Sequence, residues 1–353
     1  MTLTLPKCRM ALMALSLLLP AGGAAAADPY QTVVSQIAKG FFAPAYERIA
    51  EAALANSAAW QRFCKGQAAT DASDLKARHK DLALAFAEIQ SFTIGPIGQN
   101  STRERLYFWP EKKNATAKGL AALLAGEAPI TAERVTKASA AAQGIPALEQ
   151  LIFGDDAANP GAQARRCEAG MAISANMASV LADIAKAWNG PEGYAAQLAR
   201  GQVDPQFSDS FQQVATDMVT GFATGIASIQ DQKLEPIIGK DAEEARPAQA
   251  EAHKAGLSKA MIIGNITGLR AFVANLGGGK VDTLQIKSWD AMLATLQGKV
   301  EALDGFPDGV TDPARRAPAE KLLADLKTVH HLLETEIPVA LDLKLGFNGL
   351  DGD

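Results

Sequence analysis

In the stretch GIPALEQLIFGDD (144–156), Glu149 has Ile145, Pro146, Ile152 and Phe153 at helical spacings of three and four. Residues at those spacings are neighbours on a helix, so this carboxylate falls on a face that should be buried. An ionised acid there must be paired, bound to a cation or solvated in a cleft; otherwise it is protonated. Proximity to the helix N-terminus favours an acid but does not explain apolar neighbours on both sides. The segment RERLYFWPEKK (103–113) supplies candidate partners. Arg103 and Arg105 could pair with the carboxylate, Arg105 first because a guanidinium holds a carboxylate through two bonds. Tyr107 and Trp109 could wall a pocket, and Asn265, from the far half of the chain, is a further polar partner.

The four histidines and the cysteines give weaker signals. His79 lies on an apolar helical stripe and reads as a packed core residue. His253 has no carboxylate at helical spacing and reads as surface or half-buried. In HHLLE (330–334), His331 and Glu334 are three apart and read as a solvated pair, while His330 leans toward the apolar side. No HExxH, GxSxG or P-loop motif occurs. Cys8 falls in a leader-like segment, which leaves Cys64 and Cys167. Their spacing fits neither a zinc site nor a CxxC centre. An exported chain with two cysteines pairs them as a disulfide; the alternative is two separate buried thiols.

These residues need elements to hold them, and the elements are helical. Leu75, His79, Leu82, Phe86 and Ile89 share one face, as do Leu322, Leu326, Val329, Leu333 and Ile337, and again Phe207, Phe211, Val214, Met218 and Phe222. Such half-apolar helices pack as bundles. Clusters of Gly, Pro, Asn and Asp break the periodicity, and the break near 188–204 divides the chain. The expected fold is all-α, with two helical-bundle domains at 28–200 and 201–353. DPYQTVV and DPQFSDS open the two halves in a loosely similar way.

Residues 1–27 read as a signal peptide: Lys7 and Arg9, then an apolar run too short to span a bilayer, then AAAA before Asp28. Its removal takes the formal charge from −5 to −7. No basic patch with interleaved aromatics stands out, which argues against a nucleic-acid partner. The expected location is the periplasm.

QSFTIGPIGQ, RLYFWPEKK and GIPALEQLIFGDD, in that order and spacing, resemble the imelysin-like family, and the ending LGFNGLDGD (345–353) is similar to that family's C-terminus. The resemblance runs from about residue 30 to the end. It implies an all-α protein of two helical bundles with a site between them. It also implies export, a link to iron supply, and for some members peptidase activity or service beside a membrane-bound ferrous-iron transporter. The family motif is Gly-x-His-x-x-Glu. Gly144 and Glu149 match its ends, and Pro146 stands at the histidine position, so half of a paired ligand set is missing. Glu149 is left as the candidate ligand for iron or another divalent metal. The reading preferred here is a binding protein with Glu149, Gly144, Arg105, Trp109 and Asn265 around a small ligand or metal ion. The alternatives are a metallopeptidase with a fresh ligand set, or a structural protein with a relic site.

Overall fold

The structure is a computed structural model that describes Thr2 and residues 28–65, 72–154 and 163–344. The signal-peptide segment, the acids Asp155 and Asp156, and the ending 345–353 lie outside the described residues. What is described is helix and turn, with no strand among the described residues, so the all-α expectation holds.

The chain enters through α1 (Gln31–Ile37), which runs through a π-helical turn (Ala38–Phe42) into α2 (Ala43–Cys64). A proline follows directly, at position 44. Its ring would collide with the carbonyl four residues back, and the widened π turn relieves that crowding. Phe41 and Phe42 are both buried there. α3 (Ser73–Ala87) and the long α8 (Gln163–Trp188) pack against α2 to form the first bundle. Cys64 at the end of α2 and Cys167 near the start of α8 are disulfide-bonded, as the cysteine count predicts. Between α3 and α8 come the short α4 (Thr102–Leu106), α5 (Ala115–Leu124), α6 (Ala132–Thr136) and α7 (Gly144–Phe153). α9 (Tyr194–Ala199) closes this part against α1 and α8.

The second half contains α10 (Phe211–Ser228), whose N-cap Ser210 accepts a bond from the Gln213 N–H. A second π turn (Ile229–Leu234) leads into α11 (Glu235–Ile238), again just ahead of a proline, Pro236. α12 (Ser258–Ala274), α13 (Thr283–Glu301) and α14 (Pro313–Leu341) complete it. No helix among the described residues is long and apolar enough to cross a membrane.

The three apolar stripes face inward. Of their members only Val329 and Phe207 are half-buried rather than buried. Each fully buried Leu, Ile or Phe contributes roughly 1.5–3 kcal/mol before entropy is counted. Buried side chains from both halves form one connected cluster. The halves meet most closely where α12 crosses α3. At Gly268 an added Cβ would lie 1.8 Å from the Glu88 carbonyl oxygen, so only glycine permits the crossing. That approach carries Asn265 to the end of α3, where its Nδ2 donates to the Ala87 carbonyl at 2.8 Å.

Candidate functional site

α7 begins at Gly144 with φ +73°. A Cβ there would sit 2.2 Å from the Leu106 carbonyl oxygen and 2.6 Å from that of Arg105. Glycine is therefore required twice over, by the left-handed backbone and by the contact with the end of α4. Pro146 occupies the first turn, where its missing N–H costs nothing. The helix then turns Leu148, Leu151 and Ile152 into the core and leaves Glu149 half-buried at the edge.

Glu149 reaches the second half of the chain. Its Oε1 accepts a hydrogen bond from the Ala255 backbone N–H at 2.9 Å. One residue along, Gln150 Oε1 accepts from Lys254 Nζ at 2.7 Å. Burial raises the Glu149 carboxyl above its ordinary range. The Ala255 N–H opposes that shift, Glu251 adds to it, and Lys254 and His253 oppose it more weakly.

Behind this contact lies a second polar group, fully enclosed. Lys233, in the second π turn, donates through Nζ to Glu251 Oε2 at 2.5 Å, Asn265 Oδ1 at 2.6 Å and Gln90 Oε1 at 2.8 Å. An ammonium has three protons, and each has an oxygen. Gln90 Nε2 donates to the other Glu251 oxygen at 2.6 Å, and Asn265 Nδ2 donates to Gln90 Oε1 at 3.0 Å. The Tyr107 hydroxyl is hydrogen-bonded to Glu251 as well, and burial together with the charges of Glu251 and Glu149 holds its proton on. The side chains of Lys233 and Glu251 are each 2% exposed. Burial lowers the Lys233 pKa against the pull of Glu251, and Arg103 pushes the same way as burial. The Lys233 ammonium also lies 5.3 Å from the centre of the Trp109 ring.

Two cavities border on Trp109, Pro110 and Gln232. One, of about 570 Å³, is walled by Phe108, Pro146, Glu149, Gln150, His253 and Lys254, among others. The other, of about 450 Å³, is walled by residues 90–110 on one side and by α10 and Asn265 on the other. Both have the size of small-molecule sites, roughly 300–1,000 Å³.

The residues singled out from sequence are thus distributed unevenly. Glu149 and Trp109 line one cavity together; Trp109 and Asn265 line the other. Asn265 serves Lys233 and Gln90 and makes no bond to Glu149. The expected Arg105–Glu149 ion pair is not formed among the described residues: Arg105 donates to Thr102 Oγ1 at 3.2 Å, and the acid is held by a backbone N–H instead. Arg103 is likewise occupied elsewhere, its Nε donating to the Gln90 carbonyl at 2.9 Å. Gly144 and Arg105 share a small cavity of about 30 Å³, room for one water. His79 is buried with neither ring nitrogen bonded, a core residue as its stripe predicts. His253 is half-buried and pairs with Asp308 at 3.1 Å. Glu334 pairs with His330, four residues back at 3.5 Å, and not with the exposed His331; the helical phase is one residue from the expected one.

The Lys233–Glu251 group went unread in the sequence. A signal was there for Lys233. Phe222, Ile226 and Ile229 continue the apolar face of α10, and Lys233 is the next position on it, which is the same anomaly that exposes Glu149. Glu251 has no comparable periodic context.

The family model Peptidase_M75, Imelysin, matches residues 42–333. A solved structure of an imelysin-like protein from Psychrobacter arcticum 273-4 superposes with a TM-score of 0.71 at 20% identity, covering 90% of this chain and 97% of that one. A structure from Parabacteroides distasonis ATCC 8503, designated an iron-regulated protein A precursor, superposes with a TM-score of 0.66 at 16% identity, covering 89% and 96%. At these identities the likeness concerns the fold. No curated protein matches the sequence.

Proposed function

The chain belongs to the imelysin family, and on that premise we propose that it is an exported, periplasmic binding protein of iron acquisition. It holds a small polar ligand between its two helical halves, in the cavity edged by Glu149, and delivers it to a membrane-bound uptake component. The observation that carries this reading is the cavity of about 570 Å³ that joins Glu149 on α7 to the loop around Ala255. Its walls come from distant parts of the chain, as a ligand clamp requires. Export rests on the leader-like residues 1–27. The iron link rests on the family and on the designation of the Parabacteroides protein as iron-regulated.

The family's peptidase reading needs a metal, and the residues do not fit one. Position 146, where the motif places histidine, is a proline without a donor atom. His253 lines the same cavity, but its Nε2 faces Asp308. Among the described residues, no group of three or more His, Cys, Asp or Glu side chains is arranged to hold an ion. A protein-bound zinc or iron site needs such a set.

The test is purification from the native periplasm, followed by elemental analysis and mass spectrometry of extracted small molecules, with Glu149→Gln in parallel. Gln keeps the oxygen that accepts from Ala255 and removes a charge that burial disfavours. The expected result is a small molecule that leaves with the wild type and is lost from Glu149→Gln, whose unfolding midpoint stays level or rises. Stoichiometric zinc or iron with chelator-sensitive proteolysis would overturn the proposal in favour of the metallopeptidase.

A further inference from the structure

The second cavity, of about 450 Å³, is chemically unlike the first. Its walls are rich in neutral groups that both donate and accept hydrogen bonds. The hydroxyls of Ser91, Thr93 and Thr220 and the amide of Gln99 line it, and none of these side chains is hydrogen-bonded within the described protein. Three charged side chains border it. Arg103 lies 3.6 Å from Glu104, so those two offset each other. Asp217 has no cationic partner among the described residues. It is half-buried, accepts one bond from Gln213 Nε2 at 2.7 Å, and burial raises its carboxyl. The aromatic surface comes from Trp109 and Phe207, both half-buried.

These features select among ligand classes. An anion would meet the carboxylate of Asp217, the one charge at this cavity that no ion pair among the described residues offsets. An organic cation would suit a carboxylate beside an aromatic ring, but the Trp109 ring already carries the Lys233 ammonium at 5.3 Å, which weakens the pull of its π face on a second cation. A neutral ring bearing many hydroxyls meets no such opposition. It offers donors to Asp217, to which hydroxyls bond strongly because the acceptor is charged. It offers both donors and acceptors to the hydroxyls and the amide, and a flat C–H face to Trp109.

We propose that this cavity binds a neutral sugar unit, stacked on Trp109 and held through its hydroxyls by Asp217, Thr220, Ser91 and Gln99. The site is distinct from the Glu149 cavity, although Trp109 and Gln232 border both.

The experiment uses the full mature chain and a panel of neutral sugars: glucose, galactose, mannose, N-acetylglucosamine, maltose and cellobiose. Glucuronate and choline serve as anionic and cationic counter-probes. Saturation-transfer NMR detects contact, and titration calorimetry gives the affinity. At least one neutral sugar is expected to bind saturably, with neither counter-probe binding. Asp217→Asn and Thr220→Val, on the same helix, should each weaken it tenfold or more with unchanged thermal midpoints. If either variant is unstable, the other carries the test. Glu149→Gln should leave sugar affinity unchanged, which separates this site from the Glu149 cavity. Absence of binding by every sugar at tens of millimolar would overturn the proposal. So would choline or glucuronate binding in their place, or sugar binding that neither α10 substitution weakens.

Discussion

Removal of Glu251 is the most searching perturbation of the joint between the two halves. Glu251→Ala strands the Lys233 ammonium at a position 2% exposed to solvent. Breaking a buried pair from one side costs about 3–5 kcal/mol. The Gln90 amide and the Tyr107 hydroxyl lose their acceptor at the same time, and each unsatisfied buried group adds about 1–3 kcal/mol where water cannot enter. The expected loss is therefore about 5 kcal/mol or more. Replacing both charges, as in Lys233→Met with Glu251→Leu, removes the stranded ion and should recover most of that loss. The pH dependence has a defined sign. Lys233 already titrates below its ordinary range because of burial, and Glu251 is what opposes the shift. In Glu251→Gln the folded pKa falls further. A depressed lysine contributes stability that is present above its unfolded pKa and is lost as pH falls through the folded value. The deficit of Glu251→Gln should thus grow as alkaline solutions are brought to neutrality. Urea unfolding followed by tryptophan fluorescence suits the measurement, because Trp109 lies over Lys233. A loss below about 1 kcal/mol for Glu251→Ala, the level of an exposed pair, would refute the reasoning. So would a double variant no more stable than the single one.

Other positions give sharp expectations. His79 is buried with no hydrogen-bond partner for its ring nitrogens, and burial lowers its pKa from 6.5 to about 4; stability should be full above the unfolded value and fall by about 3 kcal/mol as pH drops from there through the folded value. His79→Leu should flatten that acid limb in pH-dependent denaturation; an unchanged limb would contradict the assignment. Cys64 and Cys167 close a loop with a sequence separation of 103. Their reduction should cost about 4–5 kcal/mol in the chain-entropy estimate, and labelling of denatured, unreduced mature protein should find no free thiol. Gly144→Ala must place a Cβ at 2.2 Å from a carbonyl oxygen with φ at +73°. It should lose about 2 kcal/mol or more, since the left-handed backbone alone costs about 1–2; a loss within about 0.5 kcal/mol would argue against this backbone.

The helices were legible because their apolar stripes repeat over whole elements, and periodicity averages out local exceptions. The 207–222 and 322–337 stripes each place nearly all their members inward. The disulfide was legible from the cysteine count and the expected export rather than from geometry. Glu149 was legible as an anomaly, but its partner was not. The bond comes from a backbone N–H 106 residues away, and a backbone donor has no signature in side-chain identities. The expectation of Arg105 followed from charge complementarity alone. It failed because α4 turns that guanidinium toward Thr102, while its backbone carbonyl abuts Gly144. Lys233, Gln90, Glu251 and Asn265 converge from four separate segments, and no local spacing encodes such a meeting. The misplaced histidine partner has a simpler origin: spacings of three and four both satisfy a helix, and packing against Gln230 selects His330.

The turn at 250–256 ties these polar features into one device. It enters the interior with Glu251, which accepts from Gln90 and Lys233. It leaves with the Ala255 N–H directed at Glu149 and with Lys254 directed at Gln150. Ala252, between them, has φ +50°, a conformation costly to a side-chain-bearing residue. That backbone is retained because both ends of the turn are anchored, one by a buried charge and the other by α7. Electrostatics joins the anchors, since the Glu251 charge raises the Glu149 carboxyl and Lys233 offsets part of that charge. A ligand that changes the ionisation of Glu149 therefore acts on the same turn that holds Glu251 against Lys233. That turn is one of the places where the two halves of the chain meet, beside the α12–α3 crossing, so a change at Glu149 bears on their contact and not on α7 alone.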